Sequence, residues 1–209
     1  IQKFSPDRQF LTAWGSEVDV GSQKRDPGQF YTIIDLVVDD QGRVYALDSY
    51  RNEFLPHSGI GAVQVFDADG QFLAEWGEFG SEPGQLSGPF GIGLDLDGTI
   101  LIAEFDNNRV QRFTPEGELL DGWGEYGSTD GEFVWAMDAA VDAEGRVFVT
   151  DYSNNRVQVF DREGRFLAKW GTYGRDAGEF AYTLGVAVGS DGTVYVTDEG
   201  KRLQAFRVL

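Results

Sequence analysis

Two aspartates, Asp35 and Asp138, are candidates to hold a cation. They occupy equivalent positions of an internal repeat, in which Gly91 and Gly185 stand at the same position of the other copies. Carboxylates combined with backbone carbonyl oxygens are the ligands that Ca²⁺ prefers in proteins. Asp35 and Asp138 are therefore weak candidates for a calcium site, and no other cofactor is expected.

The composition offers little for nucleophilic catalysis. The 209-residue chain has no cysteine and a single histidine, His57, which excludes thiolate catalysis, disulfides and cysteine-bound metals within it. A catalytic triad would have to use His57, and no strand–turn motif of the kind that exposes a serine nucleophile is present. The sequence therefore predicts no catalytic residues and favours a non-catalytic role.

A second variable column of the repeat offers contacts for a ligand. It lies three residues before the aspartate column and contains Thr32, Gly88, Trp135 and Tyr182. Aromatic rings at this position can stack on a ligand, and the aspartates can add charge or hydrogen bonds. The alternative is that these side chains fill the mouth of a channel or face solvent.

Two insertions interrupt the repeat near the N-terminus, at 15–30 and 49–62. They lie on connections that should emerge on the same face, and long loops on a rigid scaffold often carry binding functions. The alternative is that they cover a neighbouring domain or blade. The candidate contact residues of the second insertion are Tyr50, Phe54, Leu55 and His57.

The repeat itself is visible as one phrase written twice, 47 residues apart. It reads EFDNNRVQRFTPEGELLDGWG at 104–124 and DYSNNRVQVFDREGRFLAKWG at 151–171. Each unit contains four short runs rich in β-branched and aromatic residues, separated by glycine or Asn-Arg turns. The 3.6-residue periodicity of an amphipathic helix is absent. The sequence therefore predicts repeating units of four antiparallel strands.

Units of four strands at this spacing are typical of a β-propeller, an all-β fold. Each blade has two apolar faces, and stacking blades around an axis covers both of them. We predict the last two strands of a blade at 1–15, complete blades at 30–77, 86–124 and 133–171, and the first three strands of another at 180–209. This strand count predicts a segment of a larger propeller that associates with further blades or subunits. The alternative is a distorted ring in which the first strand, IQKF, is displaced.

Two further columns recur in every copy and are predicted to be structural. An acid ends the second strand, at Asp48, Glu104, Asp151 and Asp198. We expect it to accept hydrogen bonds from N–H groups of the following turn, or alternatively to form a ring that binds a cation. A tryptophan ends the fourth strand, at Trp14, Trp76, Trp123 and Trp170. We expect it to pack between blades, or to stack on carbohydrate where it is exposed.

The formal net charge is −18, and this restricts the partners. An acidic surface repels phosphate backbones, so we expect no nucleic acid partner. No apolar run reaches the length of a membrane span. Proteins, peptides and glycans are the expected partners. The acidic surface and a first residue that is not Met favour an extracellular or cell-surface location without fixing the compartment.

The units NNRVQVFDREGRFLAKWG, GEF and GVAVGSDGTVYVTD resemble NHL repeats over essentially the whole chain. This resemblance implies a six-bladed propeller, with a binding or scaffold role in most members and lyase or lactonase-like activity in a minority. We expect an interaction or scaffold propeller that binds a protein, peptide or glycan through the face carrying 15–30 and 49–62. The alternatives are a metal-assisted lyase or lactonase-like hydrolase at the channel mouth, and an architectural subunit of a larger extracellular assembly.

Overall fold

The structure, a computed structural model, describes residues 1–18, 25–51 and 59–208. Within these ranges the chain forms β-strands joined by turns, and no helix is present. Two short pairs open the chain. An antiparallel pair is formed by β1 (Gln2–Phe4) and β2 (Phe10–Ala13). A parallel pair is formed by β3 (Ser16–Glu17) and β4 (Gln29–Phe30).

Three antiparallel four-stranded sheets follow, each with its strands in sequential order. The first blade contains β5 (Ile33–Val38), β6 (Val44–Arg51), β7 (Gly59–Phe66) and β8 (Phe72–Trp76). The second blade contains β9 (Pro89–Leu94), β10 (Ile100–Glu104), β11 (Arg109–Phe113) and β12 (Leu119–Trp123). The third blade contains β13 (Ala136–Val141), β14 (Val147–Asp151), β15 (Arg156–Phe160) and β16 (Phe166–Trp170).

A fourth sheet has three strands, in the order β17 (Thr183–Val188), β18 (Thr193–Asp198) and β19 (Arg202–Arg207). The first strands of successive sheets lie side by side, with β9 between β5 and β13, and β13 between β9 and β17. The sheets therefore fan outward from a common inner edge. This arrangement confirms the all-β propeller with four-stranded antiparallel blades that the repeat predicts.

The hydrophobic core lies between blades. Tyr45 and Val63 of the first blade pack in one cluster with Ile100 and Phe113 of the second blade, and all four are buried. Similar clusters join the second blade to the third and the third to the fourth sheet. Burial of each large apolar side chain is worth roughly 1.5–3 kcal/mol, so the blades stabilise one another.

The repeated tryptophans lie at these junctions and at the one between the N-terminal β1–β2 pair and the first blade. Each packs its ring against a phenylalanine on the third strand of the following sheet, with centroids 5.1–6.2 Å apart. The pairs are Trp14–Phe66, Trp76–Phe113, Trp123–Phe160 and Trp170–Phe206. The column recurs because every blade presents the same surface to its neighbour.

Candidate functional site

The connections that precede each first strand and the turns that follow each second strand meet on one side of the molecule, here called the connector face. Backbone hydrogen bonds join the two sets. Phe105 N donates to Gly88 O over 2.9 Å, and Tyr152 N donates to Trp135 O over 3.1 Å. The residue after each acid of the repeated acid column is thereby placed beside the residue that leads into the first strand.

The repeated acids anchor this face from below. Asp151 is fully buried and accepts hydrogen bonds from Val134 N at 2.9 Å, Asn154 Nδ2 at 2.9 Å and Arg156 Nε at 2.7 Å. Burial raises the pKa of the Asp151 carboxyl, although Asn154 and Arg156 act in the opposite direction.

The donors differ from those expected. The backbone N–H groups belong to the connection ahead of the first strand, at Thr32, Ser87, Val134 and Ala181, rather than to the following turn. The reason is geometric, because the end of the second strand lies beside the start of the antiparallel first strand. In the second and third blades, the following turn contributes only side chains to the acid, from its asparagine and arginine.

A glutamine column, overlooked in the sequence, completes the anchor. Gln158 Oε1 accepts from Gly131 N at 3.0 Å, and its Nε2 donates to Glu132 O at 2.7 Å. Gln64, Gln111 and Gln204 make the same pair of bonds to their own connections. The signal was available, since a glutamine occupies this position in all four copies of the repeat.

The first blade makes the same anchor from different parts. Strands β6 and β7 continue past Asp48, pairing Ser49 with Gly61, so no Asn-Arg turn follows the acid. Arg25, from the connection ahead of the blade, forms the ion pair with Asp48 and a second one with Glu75 at 2.8 Å. The insertion at 15–30 thus supplies a guanidinium in place of the one that is lost where the insertion at 49–62 replaces the Asn-Arg turn.

The extended β6–β7 hairpin also covers part of the connector face. Gly59, at the start of β7, lies against the ring of Phe79, which is half-buried. Its equivalents in the next two connections, Tyr126 and Tyr173, are 74% and 70% exposed. The hairpin therefore shields one of three equivalent aromatic side chains.

A continuous line of aromatic side chains crosses the rest of the connector face. We call it the aromatic row, and in spatial order it consists of Phe90, Phe105, Trp135, Tyr152, Tyr182 and Tyr173. Successive ring centroids are 6.5, 4.6, 5.7, 5.0 and 6.2 Å apart. Each member is at least partly exposed.

Two members of the row have an unusual backbone. Trp135 and Tyr182 are left-handed, with φ of 72° and 61°, and Gly88 takes the same form at the equivalent position. Their N–H groups donate to Asn108 Oδ1 and Asn155 Oδ1, both at 2.8 Å. A left-handed aromatic residue costs about 1–2 kcal/mol and is characteristic of functional sites.

The rings largely cover one another. Phe105 stacks on Trp135 with 14° between ring planes, and Tyr152 stacks on Tyr182 with 27°. One face of each ring is therefore occupied by its partner. Trp135 and Tyr182 are 37% and 40% exposed, so each offers only part of its ring to a ligand.

The two channel aspartates lie on the first strands, which line a cavity of about 390 Å³. Asp138 accepts from Ala139 N and from Val186 N in the next sheet, both at 2.8 Å. Asp35 likewise accepts from Leu36 N at 2.8 Å and from Ile92 N at 3.2 Å. Each aspartate thus ties its own blade to the following one.

Glycine makes room for this arrangement. A Cβ at Gly91 would lie 2.5 Å from the Cα of Asp138 and 2.6 Å from its Oδ1. A bulge at the start of β13 turns Asp138 toward the channel, and its freed N–H donates to Thr150 Oγ1 at 3.0 Å. The alternation of aspartate and glycine in this column therefore reflects close packing around the channel.

The channel carboxyls titrate unusually. Burial raises the pKa of Asp138 to about 7, and the charge of Asp35 adds to the shift. Burial also raises the pKa of Asp35. Among residues 1–18, 25–51 and 59–208, no group of three or more His, Cys, Asp or Glu is placed to hold a metal. Calcium binding by Asp35 and Asp138 stays a prediction.

The remaining predicted contact residues are separated from the row. Thr32 is exposed and donates its N–H to Asp48, without the left-handed backbone of Trp135. Tyr50 is 41% exposed and stacks on Tyr31 with centroids 5.1 Å apart. The other three predicted contacts of this insertion lie outside the described residues: Phe54, Leu55 and His57.

Comparisons with known proteins agree on the fold. The family model of DUF5128, described as a 6-bladed beta-propeller, matches residues 129–206. Virginiamycin B lyase from Staphylococcus aureus is similar in structure, with a TM-score of 0.62 and 14% identity over 99% of this chain and 62% of that one. The chain thus spans less than two thirds of that relative. No curated protein sequence matches.

Two further solved structures have related folds. A gluconolactonase from Xanthomonas campestris has a TM-score of 0.59 and 16% identity over 94% of this chain and 61% of that one. A calcium-binding regucalcin from Agrobacterium tumefaciens has a TM-score of 0.53 and 18% identity over 78% of this chain and 52% of that one. At these identities the similarity shows the propeller fold alone. Among the described residues, no helix has the length and apolarity to cross a membrane.

Proposed function

We propose that this protein is a non-catalytic interaction module that binds a protein, peptide or glycan through its connector face. The observation that carries the proposal is the aromatic row of six partly exposed rings, the central four of which stack in pairs, with a left-handed backbone at Trp135 and Tyr182. Rigid tyrosine and tryptophan side chains supply contact area at a low entropic cost, and they dominate binding hot spots.

The placement of the row supports a binding role over a structural one. Trp135 and Tyr182 take a left-handed backbone that costs stability, while Gly88 shows that the fold accepts glycine at this position. The rings are therefore not needed to build the blade. The resemblance of the repeat units to NHL repeats, most of which are binding or scaffold modules, points in the same direction.

The test is selection of ligands with the wild-type chain and a ring-deleted variant, Trp135→Gly with Tyr182→Gly. A random peptide library and a glycan array are screened against both proteins. We expect ligands that bind the wild-type chain and lose at least about tenfold in affinity for the variant, because buried ring contacts are typically worth more than 1 kcal/mol. Ligands that bind both proteins equally would contradict the proposal.

A second candidate is a metal-assisted lyase or lactonase-like hydrolase at the channel mouth. It is favoured by Asp138, whose pKa of about 7 would suit a general acid or base at neutral pH. Calorimetric titration with Ca²⁺ tests it, using Asp138→Asn as the comparison. One tightly held ion that the variant loses, together with lactone hydrolysis or lyase activity, would favour this function over the first.

A further inference from the structure

We propose that the occupant of the aromatic row is a basic segment of a protein partner, with Lys and Arg side chains lying along the rings. This inference rests on the proposed function and specifies the chemistry of the ligand. It is carried by two observations, the mutual stacking of the central rings of the row and the charge of the surface around them.

Ring geometry selects the kind of side chain. Stacking a sugar requires an open ring face, yet the Phe105–Trp135 and Tyr152–Tyr182 pairs each cover one face of both partners. Between the pairs, Trp135 and Tyr152 are only 5.7 Å apart and tilted by 53°, too close to admit a pyranose between them. The aliphatic stems of Lys and Arg can instead lie along the row while their charged ends reach past it.

The surface beyond the rings is acidic. In the connections and turns of the second, third and fourth sheets, the acids on the connector face are Glu78, Glu82, Asp106, Glu125, Asp130, Glu132, Asp176, Glu179 and Glu199. The arginines Arg109, Arg156 and Arg202 do not offset them, because each is ion-paired with a buried acid of its own sheet: Glu104, Asp151 and Asp198. The other bases of these segments are Arg175 and Lys201.

One acid contacts the row directly, and a second lies beside it. Exposed Glu199 accepts a hydrogen bond from the Tyr152 hydroxyl at 2.5 Å, and this bond raises the pKa of Tyr152 to about 12. Asp106 lies against Gly88, where a Cβ would be 2.8 Å from Asp106 Oδ2. Gly88 is equivalent to Trp135 and Tyr182 of the next two sheets. The Asp106 carboxylate therefore occupies space that a side chain at this position would need.

Charge complementarity then decides between partners. A chain with a net charge of −18 attracts cationic ligands and accelerates their association, while it repels nucleic acids and acidic peptides. A neutral glycan would gain nothing from the carboxylates as charges. A basic protein segment uses both the rings and the acids.

The experiment measures fluorescence anisotropy of short labelled peptides with the full chain. The probes are a peptide of Gly, Lys and Arg, its counterpart with Glu in place of the bases, a Gly-Ser peptide, and cellohexaose as a competitor. The variants are Trp135→Gly and Glu199→Gln. Glu163→Gln is the charge control, because Glu163 lies in the β15–β16 turn on the opposite side and is largely exposed.

We expect the basic peptide alone to bind. Trp135→Gly should weaken it at least about tenfold, and Glu199→Gln about threefold with a shallower salt dependence, while Glu163→Gln leaves it unchanged. Circular dichroism checks that each variant is folded. If Trp135→Gly were unfolded, Glu199→Gln and competition by cellohexaose would still decide the question.

The contradicting results separate this inference from the proposed function. Ring-dependent binding of the acidic peptide, the Gly-Ser peptide or cellohexaose would overturn the basic-segment inference and leave the binding face standing. An unchanged affinity of the basic peptide for Glu199→Gln would also overturn the basic-segment inference. If the probes bound and Trp135→Gly changed the affinity of none of them, both the basic-segment inference and the proposed binding face would be overturned.

Discussion

The first blade and the third blade solve the same problem with different residues. In the third blade, buried Asp151 is paired with Arg156 at the start of the next strand. In the first blade, buried Asp48 is paired with Arg25, which reaches it from the connection before the blade. In both blades the buried acid is paired with a guanidinium, although that guanidinium comes from different places along the chain.

The difference has a consequence for the connector face. Freed from the Asn-Arg turn, β6 and β7 extend into a tall hairpin that shields Phe79 and stacks Tyr50 on Tyr31. The regular blades keep their short turns and leave Tyr126 and Tyr173 exposed. The connector face is therefore covered in part beside the first blade, and it stays exposed beside the regular blades along the aromatic row.

The largest expected effect is in the regular blade. Arg156→Met removes the cation from fully buried Asp151, together with bonds to Ser128 O, Thr129 O and Glu132 O. Breaking one partner of a buried ion pair costs about 3–5 kcal/mol, which urea unfolding will measure. Arg165→Met, in an exposed pair with Asp161, is the control and should change stability by less than about 1 kcal/mol.

The next effect tests whether Arg25 is an equivalent anchor. Its side chain is only 8% exposed beside Asp48, but among the described residues it donates to a single connection carbonyl, Gln29 O. We expect Arg25→Met to lower the free energy of unfolding by about 2–3 kcal/mol. A loss below about 1 kcal/mol would mean that the first blade does not depend on the replacement.

A third test compares how the stability contributed by the channel aspartates of the first and third blades depends on pH. The pKa of Asp138 is raised from 3.8 to about 7, so the folded state holds this proton more tightly. Its contribution to stability is full below pH 3.8 and is lost as pH rises through 7.

Between about pH 5 and 7.5, the wild-type chain should lose roughly 1–2 kcal/mol more than Asp138→Asn, allowing for solvent screening at this half-buried site. Asp35→Asn, in the first blade, should remove less of the slope. The slopes of unfolding free energy against pH are compared, because an amide at position 138 also changes hydrogen bonding at every pH. A slope unaltered by Asp138→Asn would refute the assignment.

The smallest effect concerns Trp135. Replacement by glycine loses ring stacking but relieves the strain of the left-handed backbone. The free energy of unfolding, measured by thermal denaturation, should therefore change by less than about 1 kcal/mol. Trp135→Ala, which keeps the strain, should be about 1 kcal/mol less stable than Trp135→Gly. Equal stability of the two variants would show that φ at this position carries no cost.

The repeat made the fold predictable, because inter-blade packing requires the same residue types at the same spacing in every copy. The Arg25–Asp48 pair was not predictable, since its members are 23 residues apart and belong to the one blade that departs from the repeat. The left-handed backbone at Trp135 had one signal, Gly88 in the same column. The stacking of rings within the aromatic row was not predictable, because the aligned positions of the repeat give residue types but not the directions in which the side chains point.

The most direct test of the account is a double-mutant cycle on the first blade, with Arg25→Met, Asp48→Asn and both together. Asp48→Asn keeps an oxygen to accept the N–H of Thr32 while removing the charge. The account predicts a coupling free energy of about 2 kcal/mol or more between the two positions, within the range for residues that share an interaction. Additive losses, with coupling near zero, would contradict the claim that the two insertions are matched through this pair.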